Sequence, residues 1–413
     1  MGNKIPKIRR IIFFTSLSIA FIIICAAIIS VFTAGGKTIF YIKPNEFHPL
    51  RNPLMGYAAT NHISGSDLVY VEVTWAELEP SEGVYDFKGI NAKYELNLLK
   101  LAGKRIVFRF LSDRPGDTEH MDIPLWLYEQ IDGEYYDNEY GKGFSPDYDN
   151  IKLMKHHENA IKALSDEYGS DNFFAYIEIG SVGHNGSFET SDEISAGIDK
   201  YILENYVEDY INNFKHSILL TPGYSYFTEE YGLGEYNPNI EDGFSDFSDN
   251  KCFGAHILKE STDYSGLING NHLSYIVSDF SLPEETYENV GYLLKVTEAY
   301  AESDRTTGEL TVSMTFSSEG AAAFPADWEP VLYIVNSRGK TLVKFPLNLP
   351  LNSIEPGKTA EVKKTINLAA FSNEYTFRLC VGVQDPITDK PCVAFAMDGE
   401  ISENIFNFGS VNM

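Results

Sequence analysis

The chain has 413 residues, 44% of them apolar, which is enough for two domains with real hydrophobic cores. Its 59 acidic and 32 basic residues give a net charge of −27. This balance argues against a nucleic-acid partner and against anionic lipid headgroups, and it favours a neutral or cationic ligand. No cysteine and histidine spacing is that of a zinc site, and the sequence implies no metal and no organic cofactor.

The first segment, residues 1–36, is predicted to be a membrane anchor or a signal segment. Four basic residues, the last of them Arg10, precede an uncharged run at residues 11–34, and a helix of roughly 20 residues spans a bilayer core. We favour an uncleaved anchor over a long cleaved signal because residues 32–34 make a poor cleavage site. Basic residues that flank a membrane span stay on the cytoplasmic side. We therefore expect a single-pass cell-membrane protein with extracytoplasmic domains, or a secreted protein if the segment is cleaved.

Residues 37–290 are predicted to form an α/β fold, a TIM-like (β/α)8 barrel. Alternating strands and helices indicate a parallel sheet that winds in one direction. A full barrel takes about 250 residues, but residues 224–275 show no regular repeat, so the second half is expected to be irregular or reduced. The predicted strands lie at residues 67–75, 104–111 and 217–221 and in the run from residue 173, and the predicted helices lie at residues 91–102, 150–168 and 194–214.

One stretch of this region combines a buried strand with a polar loop. The apolar run from residue 173 opens into a loop in which Gly180, Gly183 and Gly186 are spaced three apart. Glycine lets the backbone adopt positive φ and approach a ligand closely. A barrel builds one corner of its active site with such a loop after a strand. The alternative is an ordinary strand followed by a polar turn.

The C-terminal region, residues 291–413, is predicted to be an antiparallel β-sandwich. Short alternating runs are separated by regular turn signals there. Cys380 and Cys392 flank a predicted hairpin, and an oxidised cross-strand pair between them is one alternative outside the cell. We interpret the sandwich as a packing partner of the barrel, with an accessory carbohydrate-binding unit as the alternative.

Residues 75–87 resemble a signature that follows an early strand in retaining glycosidase barrels, with Trp75, Glu79, Pro80 and Gly83 before a Tyr-Asp-Phe ending. Further segments are similar to an uncharacterised bacterial glycosidase-like family, of the type called domain of unknown function 4832. That family couples a clan-A-like TIM barrel to a C-terminal β-sandwich, and the resemblance implies a protein that acts on or binds carbohydrate. These segments are residues 52–56, 123–126, 146–150, 180–189, 272–275 and 291–292.

The chain departs from that family at the position of the catalytic acid, where it has Ser187. A serine hydroxyl does not act as a general acid at neutral pH without a partner, and retaining glycosidases need two carboxyls about 5–5.5 Å apart. The catalytic candidates are therefore Glu178, whose alternation with its neighbours points it into the barrel, and Glu189, two residues beyond Ser187. Glu260 lies in the right part of the chain for a second carboxylate, but no role is assigned to it.

Six residues at or after predicted strands are candidates for substrate binding. Each has a structural alternative as well: packing for the tryptophans, an ion pair for the arginine, and solvated turn positions for the rest. The arginine lies in an apolar strand, where an unpaired charge is very costly, so it must have a partner. The candidates are Trp75, Arg109, Asp113, Trp126, His184 and Asn185.

Three hypotheses follow for function. The chain is a glycan-active hydrolase whose acid has moved to Glu178 or Glu189, a non-catalytic carbohydrate-binding pseudo-glycosidase, or a cell-surface structural module. The first requires two carboxyls that converge at the strand ends. The second requires a polar cleft without such a pair, and the third requires no cleft. A fold alone does not decide among them.

Overall fold

The computed structural model of the chain describes residues 36–44, 51–60, 67–190, 198–244, 253–260, 264–268, 270–371 and 373–412. The predicted N-terminal anchor lies outside these residues, except for its last position. Within the described ranges, no helix is long and apolar enough to cross a bilayer.

The described part of the chain contains strands that form a barrel, two stacked sheets and a hairpin. In chain order the strands are β1 (Lys37–Phe40), β2 (Gly56–Ala59), β3 (Leu68–Thr74), β4 (Arg105–Leu111), β5 (Gly133–Asn138), β6 (Gly141–Pro146), β7 (Phe174–Glu178), β8 (Ile218–Pro222), β9 (Gly234–Asn237), β10 (Phe253–Ile257), β11 (Leu273–Ser278), β12 (Leu294–Asp304), β13 (Glu309–Ser318), β14 (Pro330–Asn336), β15 (Thr341–Pro346), β16 (Thr359–Asn367), β17 (Thr376–Val383), β18 (Glu400–Ser402) and β19 (Ile405–Asn412).

The predicted TIM-like barrel is confirmed. Eight strands close in the order β10-β11-β2-β3-β4-β7-β8-β9, and every neighbouring pair is parallel. The helix Ile151–Tyr168 begins where predicted because the Asn150 side chain accepts from the backbone N–H groups of the first turn. The predicted helix at 91–102 is instead two helices, Phe87–Tyr94 and Leu96–Leu101, because Glu95 between them has a left-handed φ of 53°.

The second half of the barrel keeps its strands but has short helices. After the helix Lys200–Asn213, the described residues of the connections contain the short helices Ser225–Tyr231, Ser265–Ile268 and Glu284–Tyr287 and a 3-10 turn at Ile240–Asp242. The predicted reduction therefore concerns the helical layer. Strands β2, β9, β10 and β11 complete the barrel although no repeat predicted them.

The β-sandwich is also present, as two antiparallel sheets in the orders β1-β12-β13-β16 and β15-β14-β17-β19-β18. Strand β1 joins this sandwich by pairing with β12, far along the chain. Cys380 is buried and Cys392 is partly buried, and both are free thiols. Burial raises the pKa of each thiol to about 12, so both stay protonated.

The sandwich covers the amino-terminal end of the barrel. One hydrophobic core extends from the barrel interior into the space between the two sheets. Arg105, at the start of β4, donates to Asp385 at 2.6 Å, and both side chains are almost fully buried. The Asn52 side chain bonds both backbone groups of Ala394. Because this end is closed, the carboxyl ends of the strands are the free end of the barrel.

Candidate functional site

The carboxyl ends of the barrel strands bring five polar side chains together. Residues in register on neighbouring parallel strands face the same side of the sheet. Glu72 on β3 is in register with Arg109 on β4, and Arg109 is in register with Glu178 on β7. His256 on β10 and Tyr275 on β11 reach the same point across the barrel interior. Five different strands therefore build one polar cluster.

The Glu178 carboxylate is the centre of this cluster and is 0% exposed. Nε2 of His256 lies 2.8 Å from its Oε1 and 2.9 Å from its Oε2. The Tyr275 hydroxyl donates to Oε1 at 2.8 Å, and Nε of Arg109 lies 3.9 Å from Oε2. Each oxygen thus has a positive or hydrogen-bonding partner, as a buried carboxylate requires.

These partners decide the protonation state of Glu178. Burial by itself raises the pKa of a carboxyl. His256, Arg109 and the Tyr275 hydroxyl outweigh burial here and hold the pKa of Glu178 below its ordinary value. The carboxyl is therefore ionised at neutral pH, and an ionised carboxylate only accepts hydrogen bonds. As placed, Glu178 has no proton to give.

Arg109 connects this cluster to the loop after β7. Its Nη2 donates to the Tyr236 hydroxyl at 3.2 Å and also to the backbone oxygen of Asn185. The guanidinium carbon lies 5.1 Å from the centre of the Tyr236 ring, a cation–π distance. The predicted ion pair of Arg109 is thus formed with Glu178, inside the barrel.

The loop after β7 folds back on itself, and its glycines make this possible. A Cβ on Gly186, which has φ 66°, would lie 2.5 Å from the Cα of Gly180, and a Cβ on Gly183 would lie 2.6 Å from the backbone nitrogen of Glu189. Asn185 has a left-handed φ of 52°, and its backbone N–H donates to Asp113 at 2.9 Å. This conformation presents the Asn185 carbonyl to Arg109.

A cavity of 380 Å³ opens beside the cluster, at the carboxyl ends of the strands. It is within the range of small-molecule sites, about 300–1,000 Å³. Arg109 and His256, which both contact Glu178, form part of its wall. Its principal polar lining consists of Tyr70, Glu72, Arg109, Arg114, Asn185 and His256.

Glu72 is a carboxylate of the cavity wall that a ligand can reach, because its side chain is 20% exposed. Asp279, on the rim, is exposed as well. The Tyr70 hydroxyl donates to its Oε2 at 2.8 Å, and Nη1 of Arg114 lies 3.3 Å from its Oε1. Burial raises the pKa of Tyr70 well above its ordinary value, so this hydroxyl stays protonated. Glu72 is thereby held in place by two donors on the cavity wall.

Asp113 and His184 form a second acid–imidazole pair, which is fully buried under the β5–β6 hairpin. Nδ1 of His184 lies 2.8 Å from Asp113 Oδ2, and the Tyr136 hydroxyl donates to Oδ1 at 2.5 Å. The rings of Tyr136 and Tyr140 pack on the imidazole with centroids 4.2 and 5.0 Å away. Neither member of the pair lines the cavity. The pair fastens the hairpin to the loop after β7.

A third imidazole, His157, joins two helices to the same loop. Its Nδ1 lies 2.6 Å from Asp209 and its Nε2 lies 2.8 Å from the Ser181 hydroxyl, which also bonds Tyr210. The residue types are those of a nucleophile, base and acid, but Ser181 is buried and fixed by Tyr210. Burial lowers the pKa of His157, so its neutral form is favoured. This network has a packing role.

The two predicted tryptophans anchor the segment at residues 75–87. Nε1 of Trp75 donates to the Glu79 carboxylate and Nε1 of Trp126 to the Glu79 backbone oxygen, both at 2.9 Å. Trp75 is 1% exposed and packs on Phe110, and Trp126 packs against His156. Trp75 therefore presents no ring face to a ligand, and its packing alternative describes it.

The two predicted catalytic carboxylates lie in different environments. Glu178 is sealed inside the barrel, whereas Glu189 is exposed on the loop and does not line the cavity. Within the described residues, the Ser187 hydroxyl bonds the backbone of Glu189, at 3.3 and 3.4 Å. Glu260 is exposed as well. Neither Glu189 nor Glu260 is therefore a carboxylate partner of Glu178.

Sequence reasoning missed Glu72, Tyr70, Arg114 and His256. Glu72 was detectable, because it is a charge in an alternating apolar strand, the same signal that selected Arg109. His256 was not, because β10 is short and has no clear period. Arg114 lies in a polar loop next to the predicted Asp113, and nothing local distinguishes it.

The described residues do not suggest a metal ion. No group of three or more histidine, cysteine, aspartate or glutamate side chains among them is placed to hold one. The imidazoles and carboxylates of this region occur as hydrogen-bonded pairs, His256 with Glu178 and His184 with Asp113.

Comparison with known proteins gives a remote likeness to glycoside hydrolases. No family model and no curated protein matches the chain, so membership of the uncharacterised glycosidase-like family stays a hypothesis. Endo-glycoceramidase II from Rhodococcus sp. is similar to 74% of this chain over 90% of its own, at 11% identity and TM-score 0.36. A GH30 endoxylanase from Clostridium papyrosolvens C71 is similar to 80% of this chain over 99% of its own, at 10% identity and TM-score 0.31. An α-L-fucosidase from Bacteroides thetaiotaomicron is similar to 73% of this chain over 79% of its own, at 11% identity and TM-score 0.31. Likeness at this level does not bear on activity or substrate.

Proposed function

We propose that this protein binds a carbohydrate in the cavity at the carboxyl ends of its barrel strands and does not cleave it. The observation behind the proposal is a polar cavity of 380 Å³ beside a cluster of buried polar side chains. The central carboxylate of that cluster, Glu178, is buried and held ionised. Ligand sites of such barrels lie at this end.

The lining suits a neutral polyol better than an anion. The two guanidinium groups of the cavity already face carboxylates, Arg114 facing Glu72 at 3.3 Å and Arg109 facing Glu178 at 3.9 Å. They therefore offer little uncompensated positive charge to an anionic ligand, and the exposed Asp279 carboxylate on the rim disfavours one further. A sugar hydroxyl both donates and accepts, so it fits a wall that alternates carboxylate, guanidinium, amide and imidazole groups. The resemblance of residues 75–87 to glycosidase barrels favours the same class of ligand.

Among the described residues, neither predicted catalytic carboxylate is placed as the proton donor of a glycosidase. A general acid needs a carboxyl whose pKa is raised, so that it is protonated at working pH. The surroundings of Glu178 lower its pKa instead, and Glu189 is exposed outside the cavity. The chain is thus a carbohydrate-binding barrel with a site unlike that of a retaining hydrolase.

A hydrolase is the second candidate, and one observation favours it. Glu72 and Glu178 lie on β3 and β7, on either side of Arg109 on β4, so two carboxylates share one end of the barrel. Hydrolysis would require one of the two carboxylates to gain a proton and act as the acid while the other stays ionised. If the protein is a hydrolase, it should turn over a substrate, and Glu72→Gln or Glu178→Gln should each abolish this turnover.

An oligosaccharide array on residues 36–413 tests both candidates. Binding and release of reducing ends are measured for the parent, for Glu72→Gln, and for Glu361→Gln as a control, since Glu361 is exposed on the sandwich. We expect binding by the parent and the control, binding weakened about tenfold or more in Glu72→Gln because a charged hydrogen bond is lost, and no turnover. Turnover by the parent that Glu72→Gln abolishes would establish the hydrolase. Absence of all binding would leave the structural-module hypothesis.

We also propose that the protein is held at the cell membrane by residues 1–36, with its barrel and sandwich extracytoplasmic. The support is the basic flank before an uncharged run of membrane-spanning length. Protease added to intact cells should digest the barrel while the protein stays in the membrane fraction after alkaline extraction. A protected barrel, or release into the soluble fraction, would contradict this arrangement.

A further inference from the structure

The His256 ring stands between the buried carboxylate and the cavity. One of its nitrogens, Nε2, is used by both oxygens of Glu178, at 2.8 and 2.9 Å. The other, Nδ1, makes no hydrogen bond within the described residues. Nδ1 does not belong to the fully buried polar atoms that lack a partner, so it is not sealed off from the cavity. Because the ring also lines the cavity, Nδ1 is the nitrogen that a ligand can reach.

The orientation of this ring is fixed from several sides. Tyr70 on β3 packs edge to face against it with centroids 5.1 Å apart, and Tyr236 on β9 packs at 6.0 Å. The ring is 5% exposed, so it has little room to turn. Glu178 is ionised and accepts only, which places the hydrogen of the neutral imidazole on Nε2 and leaves a lone pair on Nδ1.

We propose that His256 is the residue of this cavity that recognises a ligand hydroxyl, by accepting its hydrogen bond at Nδ1, and that Glu178 is the positioning residue that fixes the Nε2–H tautomer. The ligand class is a neutral hydroxyl donor, and the inference rests on the proposed carbohydrate function. Glu178 therefore acts through the imidazole and does not touch the ligand.

The charged and titratable groups around the ring come from five elements. Besides Glu178, the guanidinium of Arg109 and the carboxylate of Glu72 face the same end of the barrel, Asp279 lies on the cavity rim, and the hydroxyls of Tyr70, Tyr236 and Tyr275 belong to the same cluster. A hydrogen on Nδ1 would turn this acceptor into a donor, so the tautomer of the ring decides which ligand group the ring can bind.

The tautomer can be measured without any ligand. Long-range ¹H–¹⁵N spectra of the ¹⁵N-histidine-labelled protein report which ring nitrogen bears hydrogen, and His256→Gln assigns the resonance. We expect Nε2–H for His256. His184 is an internal comparison, because it meets its carboxylate through Nδ1 and should show Nδ1–H. Tyr275→Phe removes a bond to the same Glu178 oxygen and should leave the His256 tautomer unchanged, whereas Glu178→Gln should mix the two forms. An Nδ1–H tautomer of His256 in the parent protein would overturn the proposal.

The ligand contact is tested with methyl β-glucopyranoside as the probe and with the best oligosaccharide of the array. We expect the His256 Nδ1 resonance to move on titration while that of His184 stays, and His256→Gln to weaken binding about three- to tenfold, the value of one hydrogen bond. If the array finds a ligand but His256 neither shifts nor affects affinity, this inference fails and the proposed function stands. If neither the probe nor the array shows binding, both fail together.

Discussion

Replacing Glu178 with glutamine tests how the polar interior of the barrel is stabilised. The amide keeps the size of the side chain but leaves Arg109 and His256 without their anion, 3.9 and 2.8 Å away. Removing one partner of a buried ion pair costs about 3–5 kcal/mol, whereas losing a neutral hydrogen bond such as that from Tyr275 costs about 0.5–1.5 kcal/mol. We therefore expect the free energy of unfolding of Glu178→Gln to fall by about 3–5 kcal/mol.

Urea unfolding at neutral pH, followed by circular dichroism and by tryptophan fluorescence, measures this loss. Two probes are needed because a chain with two domains does not always unfold in a single step. The exposed Glu361→Gln is the matched control. A cycle with Arg109→Met should give a coupling of at least about 2 kcal/mol, since the second substitution removes the charge that the first left unpaired. A loss below about 1 kcal/mol, or additive losses in the double variant, would refute the ion-pair account.

Three further predictions concern the rest of the fold. Asp385→Asn should destabilise the protein by about 3–5 kcal/mol, because Arg105 stays buried without its partner. Lys43→Met, which removes one member of an exposed pair, should change the stability little. Equal urea midpoints for the two variants would contradict this prediction. Gly186→Ala should lower the free energy of unfolding by about 2–4 kcal/mol and weaken sugar binding, because the added Cβ meets backbone 2.5 Å away. Gly357→Ala is the control, because Gly357 also has a positive φ but faces open space. It should lower the free energy of unfolding by about 1–2 kcal/mol and leave binding intact. The pKa of Glu178 is lowered from 4.5, so the stability that the ionised carboxylate contributes is complete above that pH and is lost as the pH falls through the folded-state pKa. Urea midpoints measured between about pH 7 and 3 should therefore fall more steeply for the parent than for Glu178→Gln. Parallel curves for the two proteins would exclude this contribution.

The fold was predictable where an element has a clear apolar period or a distinct apolar run. The long helix Ile151–Tyr168 has an apolar face, strands β3, β4, β7 and β8 are apolar runs, and each is close to its predicted position. Strands β2, β9, β10 and β11 were not predicted, because four to six residues buried on both faces have neither an alternating nor a helical period. These strands form because the closed barrel provides a neighbouring strand on each side, and this pairing cannot be read from their own sequences.

The candidate site was predictable only in part, for a similar reason. A single charge in an apolar strand indicates that the side chain has a buried partner, and this signal identified Arg109 and Glu178. The identity of the partner depends on strands brought together by the closed barrel. His256 is 78 residues from Glu178 and lies on a strand without a recognisable pattern. For Trp75 the sequence left a sugar platform and a packing role as alternatives, and its buried indole donates to Glu79 in the core.

The environments of Glu178 and Glu189 both bear on the hypothesis of a relocated acid. If the acid had moved to Glu189, this carboxyl should approach Glu178, but it is exposed and does not line the cavity. If Glu178 itself were the acid, its surroundings should favour the proton, but they consist of an imidazole, a guanidinium and a phenolic donor, all of which favour the anion. Each of these partners comes from a different barrel strand, so no local loop movement removes them together. The described site therefore keeps one carboxylate charged and one imidazole oriented, which agrees with the proposed recognition of hydroxyl groups.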